Sequence, residues 1–229
     1  MNKNLAIFCD FDGTITKRDV IITIMEKFAP PEWVQIKDDI LYNRTIPLKT
    51  GIEMLFRLID SNKKEAIESY IKETVQTRDG FEELLIYCNE NNIKFHVVSG
   101  GLGFHIYPIL EKYINNGLLN KKNIICNEAD FTAEKIKVSY KYLPKNCTLC
   151  GDCGCCKIEF LENYPDSYKI VIGDSLTDLS PSKIADMVFA RGDLIKYLNE
   201  EKINYVPFET FFEIQSKLQT HEETKTSQN

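Results

Sequence analysis

Short apolar runs of strand length take turns with amphipathic helical stretches along most of this chain, and that alternation leaves few folds open. The runs are Leu5–Cys9, Lys94–Ser99, Asn123–Cys126, Tyr168–Ile172 and Met187–Phe189. Helical segments separate them near 104–113, 156–163 and 177–184. Another stretch sets Phe81, Leu84, Leu85 and Cys88 on one face. Strands joined through helices pair in parallel, so the pattern predicts an α/β fold with a Rossmann-like parallel sheet as its core.

Two stretches break the alternation. Residues 17–78 are helical in period, with Ile21, Ile24, Met25 and Phe28 at i, i+3, i+4, i+7, and likewise Ile52, Leu55, Phe56 and Ile59. About four helices and no strand are expected there, folded as a helical cap inserted after the first strand. The core domain then comprises residues 1–16 and 79–218. Residues 128–142, with Phe131, Ile136, Val138 and Tyr140, predict a small hairpin excursion. The polar tail, 219–229, is expected to be disordered.

Composition removes several function classes. With 43% hydrophobic residues in 229, the chain has apolar mass for a real core. A formal charge of -6, with no basic block, gives nucleic acid no electrostatic footprint. No window approaches the roughly 18 uncharged apolar residues of a membrane span, so no membrane partner is expected and the chain reads as cytoplasmic. Of eight cysteines, Cys147, Cys150, Cys153, Cys155 and Cys156 crowd into one loop, which is no dispersed disulfide framework.

In a doubly wound sheet, ligands bind beyond the carboxyl ends of the strands, and three of the runs end in reactive groups: Asp10 with Asp12, Ser99, and Asp174 with Asp178. Two carboxylates two residues apart, on a loop leaving a buried strand, can share a hard cation while one attacks an electrophile. Ser99 precedes Gly100 and Gly101, whose backbone can approach an anion closely. Each segment alone also fits a plain turn or a helix cap.

Taken in order, Asp10-Phe11-Asp12-Gly13-Thr14, Ser99, Lys157 and Gly173-Asp174-Ser175-Leu176-Thr177-Asp178 resemble the four motifs of the haloacid-dehalogenase-like phosphatase superfamily. The insertion between the first two motifs matches that family's helical cap class. The resemblance implies a phosphomonoester hydrolase with Asp10 as nucleophile and Asp12 as general acid and base. It implies Ser99, Gly100 and Lys157 on the phosphoryl group of a small phosphate ester. It also implies Mg2+ held by Asp10, the Asp12 backbone carbonyl and Asp174, with Asp178 supporting the metal through water or Lys157. Phosphoryl transfer concentrates negative charge, so cations and hydroxyls must offset what would otherwise repel a carboxylate nucleophile.

Further segments, including Phe28-Ala29-Pro30-Pro31-Glu32-Trp33 and Cys153-Gly154-Cys155-Cys156-Lys157, resemble a methionine-salvage branch of that family which acts on a methylthio enol phosphate. Phosphatases for phosphoserine, phosphoethanolamine or phosphocholine, and a non-catalytic phosphate-binding domain, are the rival readings. In the cysteine loop two states stay open: structural zinc held by thiolates, or reduced thiols in a tight turn that fixes Lys157. Phe28, Trp33, Met54 and Arg57 in the cap are candidates for an apolar substrate tail, but packing within the cap is the simpler account of each one, and none is counted as a site residue.

Overall fold

The computed structural model describes residues 4–145 and 154–226, with side chains placed through residue 220. Strand β1 (Leu5–Cys9) opens the chain with every residue buried. Four helices follow: α1 (Val20–Phe28), α2 (Trp33–Leu41), α3 (Leu48–Arg57) and α4 (Lys64–Thr74). Helix α5 (Phe81–Glu90), β2 (Lys94–Leu102), α6 (Gly103–Asn115), β3 (Ile124–Asp130) and β4 (Lys137–Ser139) come next. After them lie α7 (Lys157–Glu162), β5 (Tyr168–Gly173), α8 (Leu179–Ser182), β6 (Met187–Ala190), α9 (Leu194–Glu200), β7 (Val206–Pro207) and α10 (Phe211–Thr226).

The seven strands form one sheet in the order β4-β3-β2-β1-β5-β6-β7, and every neighbouring pair is parallel except β3 with β4. Strand β1 is central, with Ile7 opposite Phe95 on one side and Ile170 on the other. Its residues alternate between two cores. Leu5, Ile7 and Cys9 join the larger cluster with Phe81 and Leu84 of α5, while Ala6 and Phe8 join Leu161 of α7 and Cys155 on the opposite face. Helices cover both faces, which is why β1 reads as an unbroken apolar run.

Several elements reach further than their local pattern indicates. Strand β2 continues past Ser99 to Leu102, with a register shift against β3 between Val98 and Leu102. Strand β3 continues past Cys126 because its last residues pair with β4, as in Ala129 opposite Val138, which makes the hairpin expected at 128–142. Residues 219–226 extend α10 instead of fraying from Gln219. The cause is burial of Phe211, Ile214 and Leu218, each 0% exposed, which anchors the helix before its polar end.

The helical insertion leaves and rejoins the sheet through two paired linkers. Thr16 bridges Thr77, and Lys17 N donates to Gln76 O at 2.9 Å. The insertion rests on the β3–β4 hairpin region, where Lys135 Nζ lies 2.6 Å from Asp60 Oδ1 and Tyr140 Oη donates to Lys49 O at 2.8 Å. No helix among the described residues is long and apolar enough to cross a membrane.

Candidate active site

The chain runs from β1 to β2 and β3 on one side, then crosses to β5 on the other. The carboxyl ends of β1, β2 and β5 therefore flank the point where the strand order reverses. Asp10 leaves β1, and its backbone N–H donates to Ile172 O of β5 at 2.9 Å. The next residues form a tight turn, closed by Thr16 N to Phe11 O at 3.1 Å and by Gly13 N to Thr16 Oγ1 at 3.1 Å. Gly13 takes φ +78, and a Cβ there would collide with the Asp174 carboxylate, so the turn packs directly on the end of β5.

Asp10, Asp174 and Asp178 each offer a carboxylate oxygen, all within 4.8 Å of one another. Lys157, on the first turn of α7, lies between two of them. Its Nζ is 2.6 Å from Asp10 Oδ1 and 2.7 Å from Asp178 Oδ1. The second Asp178 oxygen accepts from the backbone N–H groups of Asp174 and Ser175 at 3.2 and 3.3 Å. Asp174 Oδ1 accepts from the Thr14 hydroxyl at 3.1 Å.

Asp10, Asp178 and Lys157 are buried and Asp174 is half-buried, so three carboxyl groups face one ammonium with little water. Burial pushes the Asp10 carboxyl up to about 7, with the Lys157 ammonium opposing the rise and the Asp178 carboxylate adding to it. Asp174 is pushed up to about 8, first by burial and then by the Asp10 and Asp178 carboxylates. Burial alone would lower the Lys157 pKa, but its two carboxylate neighbours hold it well above the ordinary ammonium value. One ammonium cannot offset three carboxylates, since a like-charged pair about 4 Å apart costs roughly 4 kcal/mol at an effective dielectric near 20. A hard divalent cation fits this all-oxygen donor set.

Asp12 stands apart from the three-carboxylate cluster. Its Oδ1 accepts from Val20 N at 3.1 Å at the start of α1, and its Oδ2 is 3.9 Å from His105 Nε2. Burial, then the Asp19 and Asp10 carboxylates, keep its carboxyl well above the usual range. Ser99 is buried, with Oγ accepting from Gly101 N at 2.9 Å. A Cβ on Gly101 would meet Asp12 Oδ2 and Ser99 Oγ, each at 3.0 Å, so the β1 and β2 ends face each other across that glycine. Gly100 contributes its carbonyl, which accepts from Asn127 Nδ2 at 3.1 Å.

Three contributors carry no local sign of a role at the site. Arg78 donates to the Gly13, Thr14 and Thr16 carbonyls. Asn127 ties Gly100 to the Gly154 carbonyl at 3.0 Å and to Lys141 N at 3.1 Å. Phe56 of α3 stacks on His105, with ring centroids 6.2 Å apart, and brings the helical insertion to the ring beside Asp12. Of the cap candidates, Phe28 packs edge-on against Tyr70 and Trp33 lies half-buried against the core, whereas Met54 and Arg57 are exposed. In the cysteine loop, Cys155 and Cys156 are buried, and Cys156 N donates to Tyr142 O at 2.7 Å. Cys147, Cys150 and Cys153, and with them the zinc question, lie outside the described residues.

Comparison with known proteins places the chain in a family. Residues 7–181 match the model of the haloacid dehalogenase-like hydrolase family, spanning Asp10 through Asp178. The chain belongs to that family. Among its relatives, the 2-hydroxy-3-keto-5-methylthiopentenyl-1-phosphate phosphatases of Bacillus thuringiensis (strain Al Hakam) and Bacillus cereus (strain 03BB102) are each 45% identical. Each match covers 94% of this chain and 96% of the relative. A phosphoserine phosphatase solved as a phospho-aspartyl intermediate analogue shares the fold. It superposes with a TM-score of 0.70 at 20% identity, covering 94% of this chain and 99% of that one. The hydrolase fold thus extends over nearly the whole chain, helical insertion included.

Proposed function

We propose that this chain is a Mg2+-dependent phosphomonoester hydrolase that dephosphorylates 2-hydroxy-3-keto-5-methylthiopentenyl-1-phosphate in methionine salvage. The observation that carries the chemistry is the buried Asp10 carboxylate held by Lys157 beside Asp174 and Asp178. The 45% identity to phosphatases of that name, over 94% of the chain, supports the substrate.

Asp10 attacks the phosphorus and becomes an aspartyl phosphate, while Asp12 protonates the leaving oxygen and later takes a proton from the attacking water. The raised Asp12 carboxyl suits the first role, since a general acid must hold its proton near neutral pH. Ser99, Gly100 and Lys157 receive the phosphoryl oxygens. Asp10, Asp174 and the Asp12 backbone carbonyl would hold Mg2+, with Asp178 acting through Lys157, and the ion would offset negative charge on the transferring group. Residues 17–78 serve as the cap, covering the ester and excluding water from the reacting atoms.

A phosphate-release screen with Mg2+ tests the reading. The methylthio enol phosphate is expected to exceed phosphoserine, phosphoethanolamine and phosphocholine by about tenfold or more in kcat/KM, the discrimination typical of an apolar tail pocket. Equal efficiency for any of these rejects the salvage substrate but keeps the phosphatase, whereas no release from any ester rejects both. Asp10→Asn is expected to abolish turnover with the fold intact, because an amide is a poor nucleophile.

A further inference from the structure

The turn that follows Asp10 is gripped from behind by two arginines. Arg78 is 7% exposed, and its guanidinium donates through Nε to Thr14 O at 2.8 Å and through Nη2 to Gly13 O at 2.7 Å and Thr16 O at 3.1 Å. Its Nη1 reaches Glu209 O at 3.4 Å. Arg191 Nη1 donates to the same Gly13 carbonyl at 2.8 Å. All four Arg78 acceptors are backbone oxygens, an arrangement that fixes the course of a chain. Burying a cation is costly, and only the planar fork of a guanidinium can meet several carbonyls of one turn together.

On its other side, the gripped segment touches the acid cluster. Thr14 Oγ1 donates to Asp174 Oδ1, Gly13 packs against the same carboxylate, and Asp12 immediately precedes them. Arg78 also belongs to the linker returning from the helical insertion. Its backbone N–H donates to Ile15 O at 2.7 Å, next to the Thr16–Thr77 bridge. One residue therefore joins the hinge of the insertion to the turn that carries Asp12 and braces Asp174.

We propose that Arg78 is a positioning residue that holds Gly13 to Thr16 so that Asp12 and Asp174 face Asp10 at the separation catalysis and cation binding require. This rests on the phosphatase reading given above.

The test compares Arg78→Met and Arg78→Lys with the wild-type chain by kcat, by KM for the methylthio enol phosphate, and by the Mg2+ concentration giving half the metal-induced rise in thermal midpoint. Residues that orient the groups around a metal typically contribute about 10–100-fold to affinity or activity. Arg78→Met is expected to lower kcat by that factor and raise the Mg2+ half-point by about tenfold or more, with KM close to wild type. Arg78→Lys, a point charge without the fork, recovers only part of both. A merely structural role would lower the thermal midpoint and leave kcat per folded molecule and the Mg2+ half-point unchanged. That outcome in Arg78→Met, or in Arg78→Lys should the Met variant not fold, overturns the proposal. Absence of phosphate release from the wild-type chain counts against the phosphatase reading instead, and the Mg2+ half-points still decide the positioning role.

Discussion

Lys157 Nζ lies 2.6 Å from Asp10 Oδ1, across 147 residues of sequence, and both side chains are buried. The same ammonium meets Asp178 at 2.7 Å, so one cation holds two carboxylates that would otherwise repel each other.

Lys157→Met removes that cation and leaves both acids buried. Breaking a buried pair typically costs about 3–5 kcal/mol, so a loss of that order is expected above about pH 8, together with turnover. The loss should shrink toward about pH 6, where the Asp10 carboxyl can take up a proton. Denaturant unfolding at the two pH values measures it, and wild-type stability at the higher pH would show that the acids do not need the ammonium.

The acid cluster predicts a pH dependence of definite sign. Asp10 and Asp174 titrate at about 7 and about 8 in the folded chain, whereas an unfolded Asp ionises near 3.9. Between these values the folded chain binds more protons, so metal-free stability should fall as pH rises from about 4 toward about 8 and level off above. Mg2+ needs the carboxylates ionised, so its stabilising effect should grow over the same window. Thermal midpoints with and without Mg2+ across that range check both trends, and a metal-free midpoint that climbs there contradicts the assignment.

Gly13→Ala should separate backbone strain from damage to the site. Gly13 has φ +78 with the Asp174 carboxylate where a Cβ would go, while Gly117 has φ +77 with nothing within 4 Å. In both, the left-handed backbone alone should cost about 1–2 kcal/mol for an L-residue, and the collision with Asp174 adds to this at Gly13. Only Gly13→Ala should abolish turnover in the folded protein. Comparable activity in the two variants would remove Gly13 from the site.

His96 predicts acid sensitivity away from the site. It stacks on Phe8 at 5.4 Å, lies 4.9 Å from Tyr164, and has no hydrogen-bond partner for either ring nitrogen among the described residues. Burial, then the Lys94 charge, push its pKa down to about 4. The unfolded chain takes up that proton near 6.5, so this part of the stability should be lost as pH falls from about 6.5 toward 4. His96→Phe should raise the thermal midpoint more at about pH 5 than at about pH 8. An equal shift at both would show that His96 does not titrate on unfolding.

The readable part of the site sits where local chemistry announces it. Asp10, Asp12, Ser99 and Asp174 end or follow buried apolar runs, and polar residues placed there in a parallel sheet point to a ligand. Arg78 had no such marker. A lone arginine before Asp79-Gly80 reads as a solvated charge, and three of its carbonyl partners stand 62 to 65 residues earlier and the fourth 131 later. Asn127 is similarly silent, since its partners Gly100, Lys141 and Gly154 come from three separate segments.

By itself the sequence determined the elements up to β6 and their layering, though not α9, β7 or α10, because hydrophobic period and turn residues act over a few positions and do not depend on distant partners. It also determined which strand ends carry acids. Only the tertiary structure decided that Lys157 pairs with Asp10 and Asp178, that β2 runs to Leu102, that α10 holds through Thr226, and that Arg78 grips the turn after Asp10. Those outcomes depend on which surfaces meet once the sheet has closed. Burial then raises the strength of a few charged contacts far above what their residue types would have in water.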